Sequence, residues 1–276
     1  MSWFEAILLG IVQGLTEFLP ISSTGHVRVV PALFGWPDPG AAFSAVIQLG
    51  TMAAVLIYFR HDVARITVAW VRGLANRELR RTPDSLMGWY VAVGTVPVVI
   101  LGFAFRHQIS SGARSLWIVA FSLVIGGIVM LAVDRIATLR RPLDSVTWRD
   151  GIIVGLCQAL ALIPGVSRSG ATIVGGLVLG FNRETAARFS FLLSIPAVVL
   201  SGLFELKDVG DGSNNAPIVA TIIATIFAFV FGYLSIAFLL RYLARHTLTI
   251  FGVYRIVAGL AVVVLVATGR SEEHTS

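Results

Sequence analysis

The chain has 276 residues, of which 56% are hydrophobic and only 13% charged, and its mean hydropathy is +0.85. Soluble domains carry about 25% charged residues, so this composition excludes a water-soluble globule, and a disordered chain or coiled coil with it; Cys157, the sole cysteine, excludes a disulfide scaffold. The formal charge of +6 does not point to nucleic acid, because the basic residues lie in short gaps between apolar runs, where they orient membrane spans.

The chain begins MSWFEA, with Glu5 where a signal peptide carries Lys or Arg, so no cleaved signal is expected. Residues 4–34 are too few for two crossings of about 30 Å of hydrocarbon and too many for one. They are broken at Pro20 and the polar SSTGH, which predicts a re-entrant hairpin: a half-helix in, a turn, a half-helix out. Full spans are predicted at 41–59, 86–104 and 115–133. Residues 151–180, broken at Pro164 and GVSRSG, predict a second hairpin, followed by spans at 186–204, 217–240 and 248–268.

Loop charges agree with this order if each hairpin returns to its starting side. Residues 60–85, 134–150 and 241–247 are basic and predicted cytoplasmic, whereas 105–114 is milder and 205–216 net acidic. Both termini are then outside the cytoplasm, and the tail after Gly269 reads as disordered.

The halves resemble each other. GIVQGLTEFLPISSTG (10–25) aligns with GLCQALALIPGVSRSG (155–170), and FSAVIQLGTMAAVL (43–56) with FSFLLSIPAVVLSG (189–202). One hairpin plus three spans is an odd number of crossings, so the second hairpin enters from the opposite side. The expectation is an all-α polytopic membrane protein with six full transmembrane helices, two re-entrant hairpins and an inverted-topology repeat. It forms one integral domain over 1–269, with repeats at about 1–134 and 150–269 and a disordered 270–276. In such folds the ligand site lies near the midplane, where the half-helices meet.

Ser22, Ser23, Thr24 and Gly25 precede one inner half-helix; Ser167, Arg168, Ser169 and Gly170 precede the other. The serines can cap broken helices, and the free N–H groups with the positive dipole ends form an anion site. Arg168 between two such ends demands an anion, and its fork suits phosphate oxygens. Gln13 and Glu17 share a helix face at i, i+4. Glu17, a carboxylate at depth, can bind a divalent cation, accept a proton or pair with Arg168; Gln13 can only coordinate or orient. His26 is the only histidine within an apolar element. Together these residues suit phosphoryl transfer, with Arg168 and backbone amides on the equatorial oxygens and a hydroxyl or water attacking in line.

QGLTEFLPISSTGH (13–26) and PGVSRSGAT (164–172), with RETAARFSFLLSIP (183–196) and YRI (254–256), resemble the motifs of the bacterial undecaprenyl-diphosphate phosphatase family, also called bacitracin-resistance proteins. The resemblance covers essentially the whole chain. Gln13 stands where many members carry Glu. The resemblance implies cleavage of a C55 polyprenyl diphosphate to the monophosphate and inorganic phosphate on the extracytoplasmic side of the bacterial plasma membrane. That activity recycles the carrier lipid for peptidoglycan and removes the diphosphate for which bacitracin competes. It also implies dependence on Mg²⁺ or Ca²⁺, for which Glu17 with Gln13 is the expected ligand pair, directly or through water.

The catalytic set expected on these grounds is Glu17, Ser23, His26 and Arg168. Gln13, Ser22, Thr24, Gly25, Ser167, Ser169, Gly170 and Thr172 are expected to bind substrate. Ser23 is the candidate nucleophile and His26 the acid/base; water activated by His26, or His26 itself, is an open alternative. Arg183, Arg188 and Arg255 read as interfacial or packing residues. The expected partners are the lipid substrate and the bilayer, with a homodimer left open. The rival reading is a lipid-phosphate flippase or anion transporter of inverted-repeat type.

Overall fold

The computed structural model describes residues 1–37, 40–105, 115–205 and 217–268. The predicted loops at 105–114 and 205–216 fall almost wholly outside these residues, as does the tail 270–276. Eleven α-helices form among the described residues: α1 (Trp3–Phe18), α2 (Ser23–Phe34), α3 (Gly40–Tyr58), α4 (Arg60–Ala75), α5 (Pro83–Ala104), α6 (Leu116–Ile136), α7 (Trp148–Ala159), α8 (Arg168–Val178), α9 (Arg183–Glu205), α10 (Ile218–Leu243) and α11 (Thr249–Ala267). Among the described residues there is no strand, only a bridge between Arg141 and Phe181. The protein is an all-α polytopic membrane protein.

Helices α5, α6, α10 and α11 are long and apolar enough to cross a bilayer. They leave Phe103, Ile136, Ile218, Val257 and Val264 exposed, an apolar belt suited to hydrocarbon and unsuited to water. The predicted span at 186–204 falls within α9. Both expected hairpins are broken where the sequence placed the breaks. α1 has 16 residues and α2 has 12, α7 has 12 and α8 has 11, so none reaches across about 30 Å at about 1.5 Å per residue.

One element was not expected. The basic stretch read as a loop begins with α4, set at 76° to α3 across the break at Phe59. α4 rests on α5, where Gly88 faces Trp70 and Gly73 faces Ser85.

Each hairpin packs against a helix from the other half. α1 runs along α10, and α7 runs along α5. A Cβ on Gly10 would strike the Ala224 carbonyl, and one on Gly155, its partner in the repeat alignment, would strike the Gly94 carbonyl. Lipid tails supply no hydrophobic drive between helices, so close backbone approach over small residues is what holds such pairs. α6 and α11 meet in the same way, with the Gly252 carbonyl 2.7 Å from a Cβ built on Gly127.

Candidate active site

The two breaks share one backbone solution. Ser22, before α2, has φ 77°, and Ser167, before α8, has φ 70°. Apart from Leu139 they are the only non-glycine residues with positive φ among those described. Each such residue costs on the order of 1–3 kcal/mol and persists only where its surroundings enforce it. Here the compensation is local: Ser22 Oγ accepts from the Gly25 amide at 3.4 Å, and Ser167 Oγ from the Gly170 amide at 3.1 Å. Both serines are therefore helix caps.

Capping turns the next residue of each helix toward Glu17. The Arg168 guanidinium forms an ion pair with Glu17 Oε1. Ser23 Oγ donates to Glu17 Oε2 at 2.5 Å, and Gln13 Nε2 donates to the same oxygen at 3.1 Å. The carboxylate is buried, and it sits where the N-termini of α2 and α8 converge, so two helix dipoles and one cation stabilise its charge. The salt-bridge alternative for Glu17 is realised, and it supplies the anion that Arg168 requires. Only Nη2 of Arg168 is engaged among the described residues, which leaves Nε and Nη1 free to donate to a second anion.

His26 is placed apart from this cluster. One ring nitrogen, Nδ1, lies 2.7 Å from the Ser22 carbonyl, which fixes it as a donor; Nε2 lies 2.6 Å from the Tyr254 hydroxyl. The Tyr254 ring stacks on the imidazole at 5.5 Å. Among the described residues no hydrogen bond joins His26 to Ser23, Glu17 or Arg168. The group on the Ser23 hydroxyl is Glu17.

The remaining expected residues divide by what they touch. Ser169 Oγ donates to the Leu19 carbonyl at 3.1 Å, tying the tip of the second hairpin to the break in the first. Thr24 Oγ1 shares a hydrogen bond with Ser22 Oγ at 3.3 Å. Thr172 is turned to the Arg168 carbonyl at 2.7 Å and to Ser190 Oγ at 2.5 Å, so it braces α8 against α9.

Arg255 carries more than packing. It is 1% exposed, yet its guanidinium donates to five carbonyls: Pro20, Val166, Gly165, Ser122 and Leu123, at 2.9–3.4 Å. Pro20 belongs to the first break; Gly165 and Val166 belong to the second. One side chain of α11 thus pins both hairpin tips. In the sequence, Tyr254 drew attention only through the YRI resemblance, and Arg255 read as an interfacial or packing residue.

One carboxylate, one amide oxygen and a few hydroxyls form a sparse donor set for a divalent ion. Among the described residues no group of three His, Cys, Asp or Glu side chains converges. A Mg²⁺ or Ca²⁺ ion here would take most of its oxygens from a diphosphate and water.

The family model of the bacitracin resistance protein BacA matches residues 6–261. An undecaprenyl-diphosphatase of Myxococcus xanthus is 52% identical over 270 residues, 98% of this chain and 91% of that protein. One of Thermobifida fusca is 52% identical over 269 residues, covering 98% and 92%. Undecaprenyl-diphosphatase 2 of Streptomyces avermitilis is 49% identical over 288 residues, covering 100% and 99%.

Proposed function

The chain belongs to the bacitracin resistance protein BacA family, and on that premise we propose that it is an undecaprenyl-diphosphate phosphatase whose chemistry runs at the Glu17–Ser23–Arg168 cluster. It cleaves the anhydride to undecaprenyl phosphate and inorganic phosphate, and so confers bacitracin resistance. The single observation that carries the assignment of the site is the Glu17 carboxylate, shared between the Ser23 hydroxyl and the Arg168 guanidinium across the two hairpins.

Ser23 Oγ attacks the terminal phosphorus while its proton passes to Glu17. The bond from that phosphorus to the bridging oxygen breaks, and undecaprenyl phosphate departs. Water then attacks the phosphoserine, the bond from phosphorus to Ser23 Oγ breaks, the proton held by Glu17 returns to Oγ, and inorganic phosphate leaves. Arg168 turns its open N–H groups to the equatorial oxygens, where charge accumulates. The amide ends of α2 and α8 add their dipoles. Gln13 holds the carboxylate in place. Glu17 and the Gln13 amide oxygen would hold Mg²⁺ or Ca²⁺, which when bound offsets negative charge on the diphosphate.

The site faces the extracytoplasmic side of the bacterial plasma membrane, a reading supported by the loop charges. The second hairpin entering from the other leaflet makes the two halves an inverted repeat, a reading supported by the matched serines and matched glycine contacts. Turnover there withdraws the diphosphate for which bacitracin competes.

The test is phosphate release from farnesyl and undecaprenyl diphosphate by purified protein in detergent, with and without chelator. Release that is lost in Ser23→Ala and Glu17→Gln supports the assignment. Full turnover in Ser23→Ala would dismiss the serine route and leave water or His26 as nucleophile.

A further inference from the structure

At the basic end of the bundle, a cleft of about 450 Å³ opens between α3, α4, α9 and α10. Arg60, Arg188 and Arg241 reach it from three different helices, and Tyr58, Tyr233 and Leu240 supply its aromatic and aliphatic walls. Three guanidiniums face one carboxylate. That carboxylate, Asp62, is already engaged, with Arg188 Nη2 on Oδ2 and Arg65 Nη2 on Oδ1, each at 3.0 Å. Arg60 reaches only the Ile57 carbonyl among the described residues, at 3.1 Å. Arg241 has no hydrogen-bond or ion-pair partner among the described residues. Arg188 Nε is buried with no acceptor among the described residues, a donor that normally finds one.

Orientation alone requires basic residues near a helix end, scattered in solvent. It does not require three of them to converge on one concave wall, nor a guanidinium nitrogen buried without a partner. We infer that this cleft binds a phosphate-bearing anion, either the headgroup of an anionic phospholipid or free phosphate. Guanidinium forks match phosphate oxygens, and Arg188 brings to this wall a guanidinium whose Nε has no acceptor among the described residues. The Tyr58–Tyr233 pair, with rings 5.2 Å apart, gives the mixed polar and apolar wall that a headgroup and the root of its chains require.

This cleft is separate from the catalytic cluster. Phe59 on its wall packs against Phe191, and Phe191 against Phe18, the neighbour of Glu17. Three aromatic rings therefore stand between the two sites.

The probes are dioleoyl phosphatidylglycerol, dioleoyl phosphatidylcholine and inorganic phosphate, titrated onto the full chain in detergent, with dissociation constants read by native mass spectrometry and by shift of the unfolding temperature. The wild type is expected to bind phosphatidylglycerol at least ten-fold more tightly than phosphatidylcholine, and Arg60→Gln/Arg241→Gln to lose that preference. Ser23→Ala is expected to keep it, which separates this site from the phosphatase reading. Phosphate that binds in the same arginine-dependent way, with no preference between the lipids, assigns the free anion as ligand. An unfolding temperature equal to wild type without ligand checks that the double variant folds, and Arg241→Gln alone, which removes no hydrogen bond or ion pair among the described residues, serves as the second variant. Unchanged affinities in both variants, or no binding of either anion, would overturn the inference.

Discussion

The Ser23 hydroxyl donates to Glu17 Oε2 at 2.5 Å, while Arg168, from the other half of the chain, holds Oε1 of the same carboxylate. One acidic side chain thus joins a hydroxyl on α2 to a cation on α8. Glu17→Gln keeps the shape and loses the base, so kcat should fall by about 10²–10⁴-fold. Ser23→Ala should fall at least as far. The double variant should be little worse than Ser23→Ala, because the two act as one unit. Steady-state phosphate release checks all three.

Removing Arg168 leaves Glu17 buried without its cation, held only by the Ser23 and Gln13 hydrogen bonds and the two helix ends. Breaking one side of a buried pair costs about 3–5 kcal/mol, whereas replacing both members by neutral groups costs far less. Arg168→Gln should therefore lower the unfolding temperature in detergent clearly, and Glu17→Gln/Arg168→Gln should regain most of it with no activity. Arg168→Lys keeps the charge without the fork, so kcat/KM should drop while stability stays closer to wild type.

Tyr254→Phe preserves the stacking on His26 and deletes one hydrogen bond, worth about 1 kcal/mol. A fall in activity of about five-fold is expected, with no further fall when it is combined with His26→Ala. Additive losses in the pair would show that Tyr254 acts elsewhere.

Gly10→Leu and Gly155→Leu place a side chain against the Ala224 and Gly94 carbonyls. Each should cost about 1–3 kcal/mol or more and impair assembly of the hairpin it belongs to. Gly102→Ala, whose Cβ would meet only Leu162 at 3.7 Å, is the tolerated control. Thermal unfolding of the three proteins gives the comparison.

Arg141, outside the spans, holds Asp150 at 2.7 Å at the mouth of the second hairpin. The hydrogen bond to Asp150 raises the Arg141 pKa. Burial alone would push the Asp150 carboxyl up, but hydrogen bonds from Arg141 and Thr147 hold it below its ordinary value. A carboxyl depressed in the folded state stabilises the fold above its unfolded pKa, and that contribution is lost as pH falls through the folded value. Unfolding temperature should therefore decline below about pH 4. Asp150→Asn should be less stable at neutral pH and show a shallower decline on acidification.

The spans and breaks were legible because both leave long-range signatures: unbroken apolar runs, and Pro with Ser and Gly where a run is too short to cross. The Glu17, Ser23 and Arg168 positions were legible for the same reason, since polar groups stand out at depth. α4 was not, because Arg60–Ala75 mixes charge with Val63, Ile66 and Trp70, and nothing helix-breaking marks its start at Phe59. The pairing of Ser23 with Glu17 rather than His26 depends on the unusual Ser22 backbone, which a serine does not announce. Arg255 escaped because its partners are main-chain carbonyls, which have no letter in the sequence.

Arg255 also sets an order of assembly. Glu17, Ser23 and Arg168 are all synthesised before α11, so the proposed reactive cluster exists while the side chain that bridges both hairpin tips is still to be made. A nascent chain halted before that last helix joins the two tips only through the Arg168–Glu17 pair and the Ser169 bond to the Leu19 carbonyl, and the five carbonyl contacts of Arg255 arrive as the C-terminal segment inserts.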